Sequence, residues 1–180
     1  MIDSLAPVLA AIAILAVAFL AYVAMLPAAF RIERSLAIQA PAAAIFPLID
    51  DLRRFNSWNP FALSDPGVTI VYSGPAHGVG AAYDWRGKKS GAGRMQVMTA
   101  VPAAKLTMQL QFTKPIVASN VAEFTLAPQG GATVVTWAMT GQRPFTHKLM
   151  GTIFNMDAMV GAEFAKGLAN LKAMVEKSAV

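Results

Sequence analysis

The chain has 180 residues, a formal net charge of +5 and an apolar fraction of 56%, above the about 45–50% of ordinary soluble domains. That length holds one domain with a sizeable core. The absence of cysteine excludes disulfide frameworks, thiolate zinc sites and thiol nucleophiles together.

The apolar excess has an address. No side chain from Leu5 to Phe30 is charged, and about 20 such residues at a rise of about 1.5 Å span a bilayer core. The segment is expected to be a transmembrane helix, with Pro7 near its start, where a missing N–H costs little, and Pro27 near its end. A cleaved signal peptide has a basic leader and a shorter apolar run, whereas this chain begins Met1-Ile2-Asp3-Ser4 and fits an uncleaved anchor better. Arg31 and Arg34 follow the span and only Asp3 precedes it, so the positive-inside rule predicts a single-pass membrane protein whose folded part is cytoplasmic. The expected division is an anchor over residues 1–30 and one domain over 31–180. That domain carries all 15 Lys and Arg and all but one of the ten acids, a balance that favours an anionic membrane surface. Scattered basic residues and aromatics at core positions speak against nucleic acid as a partner.

Beyond the anchor, Phe30 to Gln39 alternates as a first strand, and Pro41 opens a helix to about Leu52. Trp58-Asn59-Pro60 follows as an aromatic corner. The turn signals Asp65-Pro66-Gly67 and Ser73-Gly74-Pro75 bracket a strand over 68–72. Gly80 to Arg86 and Gly93 to Val101 pair across the polar hairpin Gly87-Lys88-Lys89-Ser90-Gly91. Leu106, Met108, Leu110 and Phe112 alternate with Thr107, Gln109 and Gln111, the period of a half-buried antiparallel strand. Asn120 to Ala127 and Ala132 to Thr140 form a last hairpin. From about Thr146 to Lys177, Leu149, Ile153, Met156, Val160, Phe164, Leu168, Leu171 and Val175 mark one long amphipathic helix. Gly161 and Gly167 weaken it by about 1 kcal/mol each relative to Ala, which implies a packing or space-making reason.

A helix after the first strand, the Trp58-Asn59-Pro60 corner, the glycine-punctuated strands at Tyr72-Ser73-Gly74-Pro75 and Gly78-Val79-Gly80, and a terminal helix occur here in order. The set resembles the START-like, polyketide cyclase/dehydrase-type SRPBCC superfamily over roughly residues 30–177. The resemblance implies an α+β helix-grip fold, in which an antiparallel sheet of six or seven strands wraps around a long C-terminal helix. It also implies a cavity between them for lipids, polyketides, sterols or quinones. Members of the superfamily include enzymes, carriers and co-chaperone-like proteins, so the resemblance names a ligand class and no reaction.

The chemistry written into the chain is sparse. Neither Gly78-Val79-Gly80 nor Gly91-Ala92-Gly93 extends to a phosphate-binding motif, and Lys88-Lys89 lacks the glycines of a P-loop. His77 and His147 stand apart without partner ligands, so no metal and no cofactor are expected. No G-x-S-x-G occurs. The acid/base candidates are Tyr72, Tyr83, Asp84, Arg86, Arg94 and Glu123. Alternation turns Asp84 away from Tyr83 and Trp85, and Glu123 away from Phe124 and Leu126. Arg94 is either a bidentate anion clamp inside the cavity or the surface partner of Asp84 or Glu123.

Ten Met and three Trp supply adaptable and rigid apolar surface respectively. The expected ligand-binding set is Trp58, Tyr83, Trp85, Met95, Trp137, Met139, Met150, Phe154 and Phe164, with Arg94 as polar anchor and an entrance near Trp58 to Ser64 and Phe145 to Met150. The expected function is a membrane-tethered binding domain for a hydrophobic or lipid-like small molecule. The alternatives are a cyclase/dehydratase-type enzyme, in which Tyr83, Arg94 or Asp84 polarises a carbonyl or moves a proton, and a protein-interaction module with no small ligand.

Overall fold

The computed structural model describes residues 5–153 and 155–177. It opens with α1 (Leu5–Met25), of which Pro7–Met25 is the one stretch among the described residues long and apolar enough to cross a membrane. Apart from the buried Val23 near its end, its described large side chains stand exposed, Ile14 and Leu15 each at 69%. A helix that is apolar all round is otherwise found buried in a core or in a bilayer. The chain divides into two compact units: one gathers α1 with Gln142–Met156, the other Arg31–Gly141 with the residues from Asp157 onward.

The second unit is built on a seven-stranded sheet. Its strands are β1 (Ala29–Ile38), β2 (Thr69–Ser73), β3 (Ala82–Arg86), β4 (Ala92–Val101), β5 (Lys105–Lys114), β6 (Ala118–Gln129) and β7 (Ala132–Gln142), in the order β1-β7-β6-β5-β4-β3-β2. From β2 to β7 every neighbouring pair is antiparallel. Because successive side chains of a strand point to opposite faces, Leu106 and Met108 of β5, Phe124 and Leu126 of β6, and Val135 and Trp137 of β7 are all buried on one face. The other face is polar and paired. Arg94 bonds the Asp84 carboxylate at 2.6 Å and Lys105 meets Glu123 at 2.7 Å.

Between β1 and β2 the structure departs from the single helix expected over Pro41 to Leu52. Three short helices take its place, α2 (Ala42–Ile45), α3 (Pro47–Asp50) and α4 (Leu52–Trp58), followed by α5 (Pro60–Leu63). Pro47 has no N–H to continue a helix and sits comfortably at a helix start. Asp51 then turns extended and caps α4, its carboxylate accepting from the N–H groups of Arg53 at 2.9 Å and Arg54 at 3.3 Å. Asn59 repeats the device for α5: its side chain accepts from Phe61 N–H at 3.2 Å, with Pro60 in the first turn. The Trp-Asn-Pro corner is thus one helix stop fused to one helix start. Trp58, only 1% exposed, donates its indole N–H to the Leu48 carbonyl at 2.8 Å, and its own carbonyl accepts from Asn170 at 3.0 Å.

The long terminal helix expected from Thr146 is two helices, α6 (Phe145–Ile153) and α7 (Met156–Lys177). Asn155 stands outside the helix just before α7 and Asp157 lies in its first turn, a helix-start signature in which an amide and an acid meet free N–H groups and the positive end of the helix dipole. Met156, expected on the apolar stripe, is 44% exposed, whereas Phe164, Leu168, Leu171 and Val175 of α7 are buried.

Gly161 and Gly167 of α7 have different reasons. A Cβ at Gly167 would meet the Trp137 ring and the Pro60 ring, neither of which can swing aside. The nearest atoms a Cβ at Gly161 would meet are those of the Arg34 guanidinium, the mobile end of a side chain that pairs with Asp157 at 3.0 Å. Replacing Gly by Ala in a helix gains about 1 kcal/mol, while overpacking costs about 1–3 kcal/mol. Gly167→Ala is therefore expected to lower the unfolding midpoint and Gly161→Ala to leave it unchanged or raise it, as measured by denaturant titration; the reverse order contradicts this packing.

Candidate ligand-binding site

The space between the buried sheet face and α7 is walled by two aromatic groups. In the first, Trp137 lies flat on Phe164 with ring centroids 4.4 Å apart and planes 9° apart. Phe55, Trp58 and Phe124 pack around it, the Phe55–Trp58 and Phe124–Trp137 centroids each 4.9 Å apart. The second runs along the other end of the sheet, Tyr72 to Tyr83 to Trp85 at 6.0 Å steps and Trp85 edge-on to Phe112 at 5.4 Å. Gly93 stands opposite Trp85 in the β3–β4 register, and the indole covers the place where a Cβ would be. Members of both groups line a cavity of about 170 Å³, slightly more than the roughly 150 Å³ engineered void that takes up benzene.

Its walls come from every layer of the unit. Phe55 and Phe61 contribute from α4 and α5, Tyr83 and Trp85 from β3, Met95 from β4, Leu110 and Phe112 from β5, and Trp137 and Met139 from β7; Val160 and Phe164 close it from α7. None of the lining residues carries a charge. The polar groups form a short chain: Asn59 donates to the Asn56 side-chain carbonyl at 3.2 Å, and the Asn56 amide donates to the Tyr72 hydroxyl at 3.2 Å. Beside them, burial pushes the Tyr83 phenol far above its usual range, the neighbouring Tyr72 adds to this, and the Asn56 side chain opposes it. Tyr83 therefore stays a neutral phenol, able to donate a hydrogen bond.

The rim is tied down by Asp65. Its carboxylate accepts from the Lys89 and Ser90 N–H groups at 2.9 and 3.0 Å and from the Ser90 hydroxyl at 2.9 Å. The Ser90 carbonyl in turn accepts the Trp85 indole N–H at 3.1 Å. The polar hairpin is thus tied to Asp65 and to the Trp85 indole, and its Ser90 forms part of the cavity wall.

A family model described as polyketide cyclase / dehydrase and lipid transport matches residues 29–176. The chain belongs to this family. A search of curated protein sequences returns no significant match. Among solved structures the chain is similar to protein MLL2253 from Mesorhizobium loti, with a TM-score of 0.60 and 14% identity over 82% of this chain and 98% of that one. It is similar to the Aha1 dimer from Colwellia psychrerythraea, with a TM-score of 0.58 and 18% identity over 82% and 96%. It is also similar to CalU16 from Micromonospora echinospora, with a TM-score of 0.55 and 16% identity over 82% and 74%. At these identities the likeness is one of fold.

In this member of the polyketide cyclase/dehydrase family, Tyr83, Trp85, Met95, Trp137, Met139 and Phe164 of the expected set line the cavity. Trp58 does not, because its indole is spent on the Leu48 carbonyl inside the core. Arg94 is on the opposite face, its two terminal nitrogens held by Asp84 and by the Ser73 hydroxyl at 3.3 Å, so the surface-pair alternative applies and no anion clamp enters the cavity. Met150 belongs to α6, where it is 46% exposed, and Phe154 lies outside the described residues. Of the expected entrance, Asn59, Phe61 and Ala62 are lining residues. His77 is exposed beside the Asp50 carboxylate at 3.5 Å, which also accepts Gly78 N–H at 3.0 Å; this arrangement fastens a turn. Asn56, Asn59 and Ser90 are polar lining residues outside the expected ligand-binding set, Asn59 falling within the expected entrance and Asn56 just before it. Asn59 was legible as a helix-stop residue before Pro60, and the side-chain bond it makes to Asn56 three residues earlier brings both to the cavity.

Trp137 is both cavity wall and core centre, 3% exposed, so Trp137→Ala is expected to cost as much as a buried aromatic, about 3–5 kcal/mol by denaturant titration. Asp65 supplies a pH test. The Ser90 and Lys89 N–H groups hold its carboxyl below the usual range, against the opposing effect of desolvation. A depressed carboxyl stabilises the fold above its unfolded value of about 3.9 and loses that effect as pH falls through the lower folded value. Asp65→Asn is expected to lower the thermal midpoint at neutral pH, with the gap to the parent closing as pH falls below about 4. A gap that stays constant to pH 2 contradicts the ionic tether.

Proposed function

We propose that this chain is a membrane-tethered binding domain for an uncharged, largely apolar small molecule, held between the sheet and α7 and exchanged with the adjacent bilayer. The observation that carries the ligand class is the cavity lining: wholly uncharged, aromatic on two sides, with Asn56, Asn59 and the Tyr83 phenol as the groups able to orient a ligand. Moving a carboxylate or phosphate into such a space without a cation is costly, so a fatty-acid head group is excluded from it and a ketone, quinone or alcohol is admitted. The family description, which joins cyclases and dehydrases with lipid transport, is compatible with this class. Tethering rests on α1, whose apolar side chains stand exposed along the span. The cytoplasmic placement rests on Arg31 and Arg34 following it.

A cyclase/dehydratase-type enzyme is the second reading, and Tyr83 favours it as a neutral donor able to polarise a carbonyl. The described lining offers no carboxylate, imidazole or amine to serve as its base, which is why binding is preferred. The test uses the full chain in lipid nanodiscs, with the indole N–H resonances of Trp85 and Trp137 as reporters and three matched probes: ethylbenzene, acetophenone and benzoate. The two neutral probes are expected to shift both resonances saturably, and benzoate is not. Tyr83→Phe is expected to weaken acetophenone about three- to tenfold, the worth of one hydrogen bond, and to leave ethylbenzene unchanged. Benzoate binding as tightly as acetophenone contradicts the ligand class.

A further inference from the structure

Met150 was expected in the ligand site, yet it stands exposed on α6, and that helix has contacts of its own. α6 packs on α1. The Lys148 ammonium donates to the Ala24 carbonyl at 3.1 Å, and the Arg143 N–H donates to the Ala28 carbonyl at 2.7 Å. The Arg143 guanidinium lies 5.4 Å from the centre of the Phe30 ring, and its buried Nε has no hydrogen-bond partner among the described residues. Lys148 therefore caps the negative end of α1, where the last carbonyls lack helical partners.

The depth of α6 follows from the length of α1. The apolar stretch Pro7–Met25 has 19 residues, and at about 1.5 Å each it spans about 28 Å, close to the roughly 30 Å of a hydrocarbon core. If α1 crosses the bilayer, Ala24 and Ala28 lie at the boundary between acyl chains and headgroups, and the start of α6 with the Arg143 just before it, bonded to these two carbonyls, lies there too. The composition of α6 suits that level. Its exposed residues, Phe145, Thr146, Met150 and Thr152, carry no charge, and Phe145 and Met150 are 43% and 46% exposed. The segment Gln142–Met156 contains Arg143, His147 and Lys148 and no acid. Apolar side chains at the acyl boundary with cations beside them are the pattern of a helix lying in the membrane interface.

We propose that α6 is an interfacial helix that, latched to the end of α1, seats Phe145 and Met150 in the headgroup layer of an anionic bilayer and offers Arg143 and Lys148 to lipid phosphates. The proposal rests on the tethering part of the function above and is independent of the cavity. It gives the unit that contains α1 a second membrane contact beside the span.

The chain has no cysteine, so single labels report cleanly. The full-length protein is placed in vesicles of phosphatidylcholine with and without phosphatidylglycerol, with an environment-sensitive fluorophore attached through Leu15→Cys, Met150→Cys or Lys88→Cys, and lipid spin labels as quenchers. The expected result is a label at 15 quenched from the bilayer centre, a label at 150 with blue-shifted emission quenched from the headgroup region, and a label at 88 in water. Phosphatidylglycerol is expected to raise the lipid-buried fraction at 150, and Arg143→Gln or Lys148→Gln to reduce that gain by about fivefold each, the worth of one cation at a charged surface. A label at 150 in water while that at 15 is buried overturns the interfacial helix alone. Both in water overturns the tether and this inference with it, and a label at 150 indifferent to phosphatidylglycerol overturns the assignment of phosphate partners.

Discussion

The height of α7 above the sheet is set by one side chain. Trp137 rises from the middle of β7 and lies flat against Phe164, with its rim over Gly167, so the helix rests on an indole whose thickness cannot be compressed. A closer approach is blocked by the ring, and a wider one would empty the contacts that Leu168, Leu171 and Val175 make on the same face. Gly167 is the matching concession on the helix, and Pro60 fills the remaining side. Close packing then holds on the Trp58 side of this prop, where Phe55, Trp58 and Phe124 fill the space. On the Tyr83 side the cavity remains, with the small residues Ala62, Ala122 and Val160 among its lining.

A cavity made this way has a definite chemistry. The charged residues of the sheet are spent on its outer face, Asp84 on Arg94 and Glu123 on Lys105, and alternation keeps them there. What faces inward is soft or aromatic, and the polar members are already engaged: Asn59 with Asn56, Asn56 with Tyr72, and Asn59 again with the start of α5. The same asparagine that stops one helix and starts the next thus also supplies the cavity's polar corner. Affinity in such a site comes from apolar surface removed from water, about 25 cal/mol per Å², with the phenol of Tyr83 deciding orientation more than strength.

The strands and their inward faces were legible because a period of two with one buried face leaves little freedom of register. Leu106, Met108 and Leu110 are buried as their alternation indicates. The helix breaks were less legible: Pro47 and the capping Asp51 divide the expected first helix, and the apolar pattern of the terminal segment runs on across the break before α7. The cavity set was legible only in part for a different reason. Alternation separates inside from outside and says nothing of which inward residues meet a neighbour and which meet a void. Trp58 and Trp137 look alike in sequence, yet one is a core plug bonded to Leu48 and the other divides core from cavity. Arg94 could not be resolved by charge alone; its register partner Asp84, paired with it on the outer face, decides its side only once β3 and β4 are paired.

The central claim is that a dry, apolar space persists beside Trp137 in the ligand-free protein. X-ray diffraction from crystals held under xenon pressure tests it most directly, because xenon enters voids that are apolar and empty of water. The account predicts a xenon atom in the space bounded by Tyr83, Trp85, Leu110 and Phe164, with the surrounding side chains unmoved. Side chains collapsed into that space, or ordered waters occupying it in place of xenon, would contradict it.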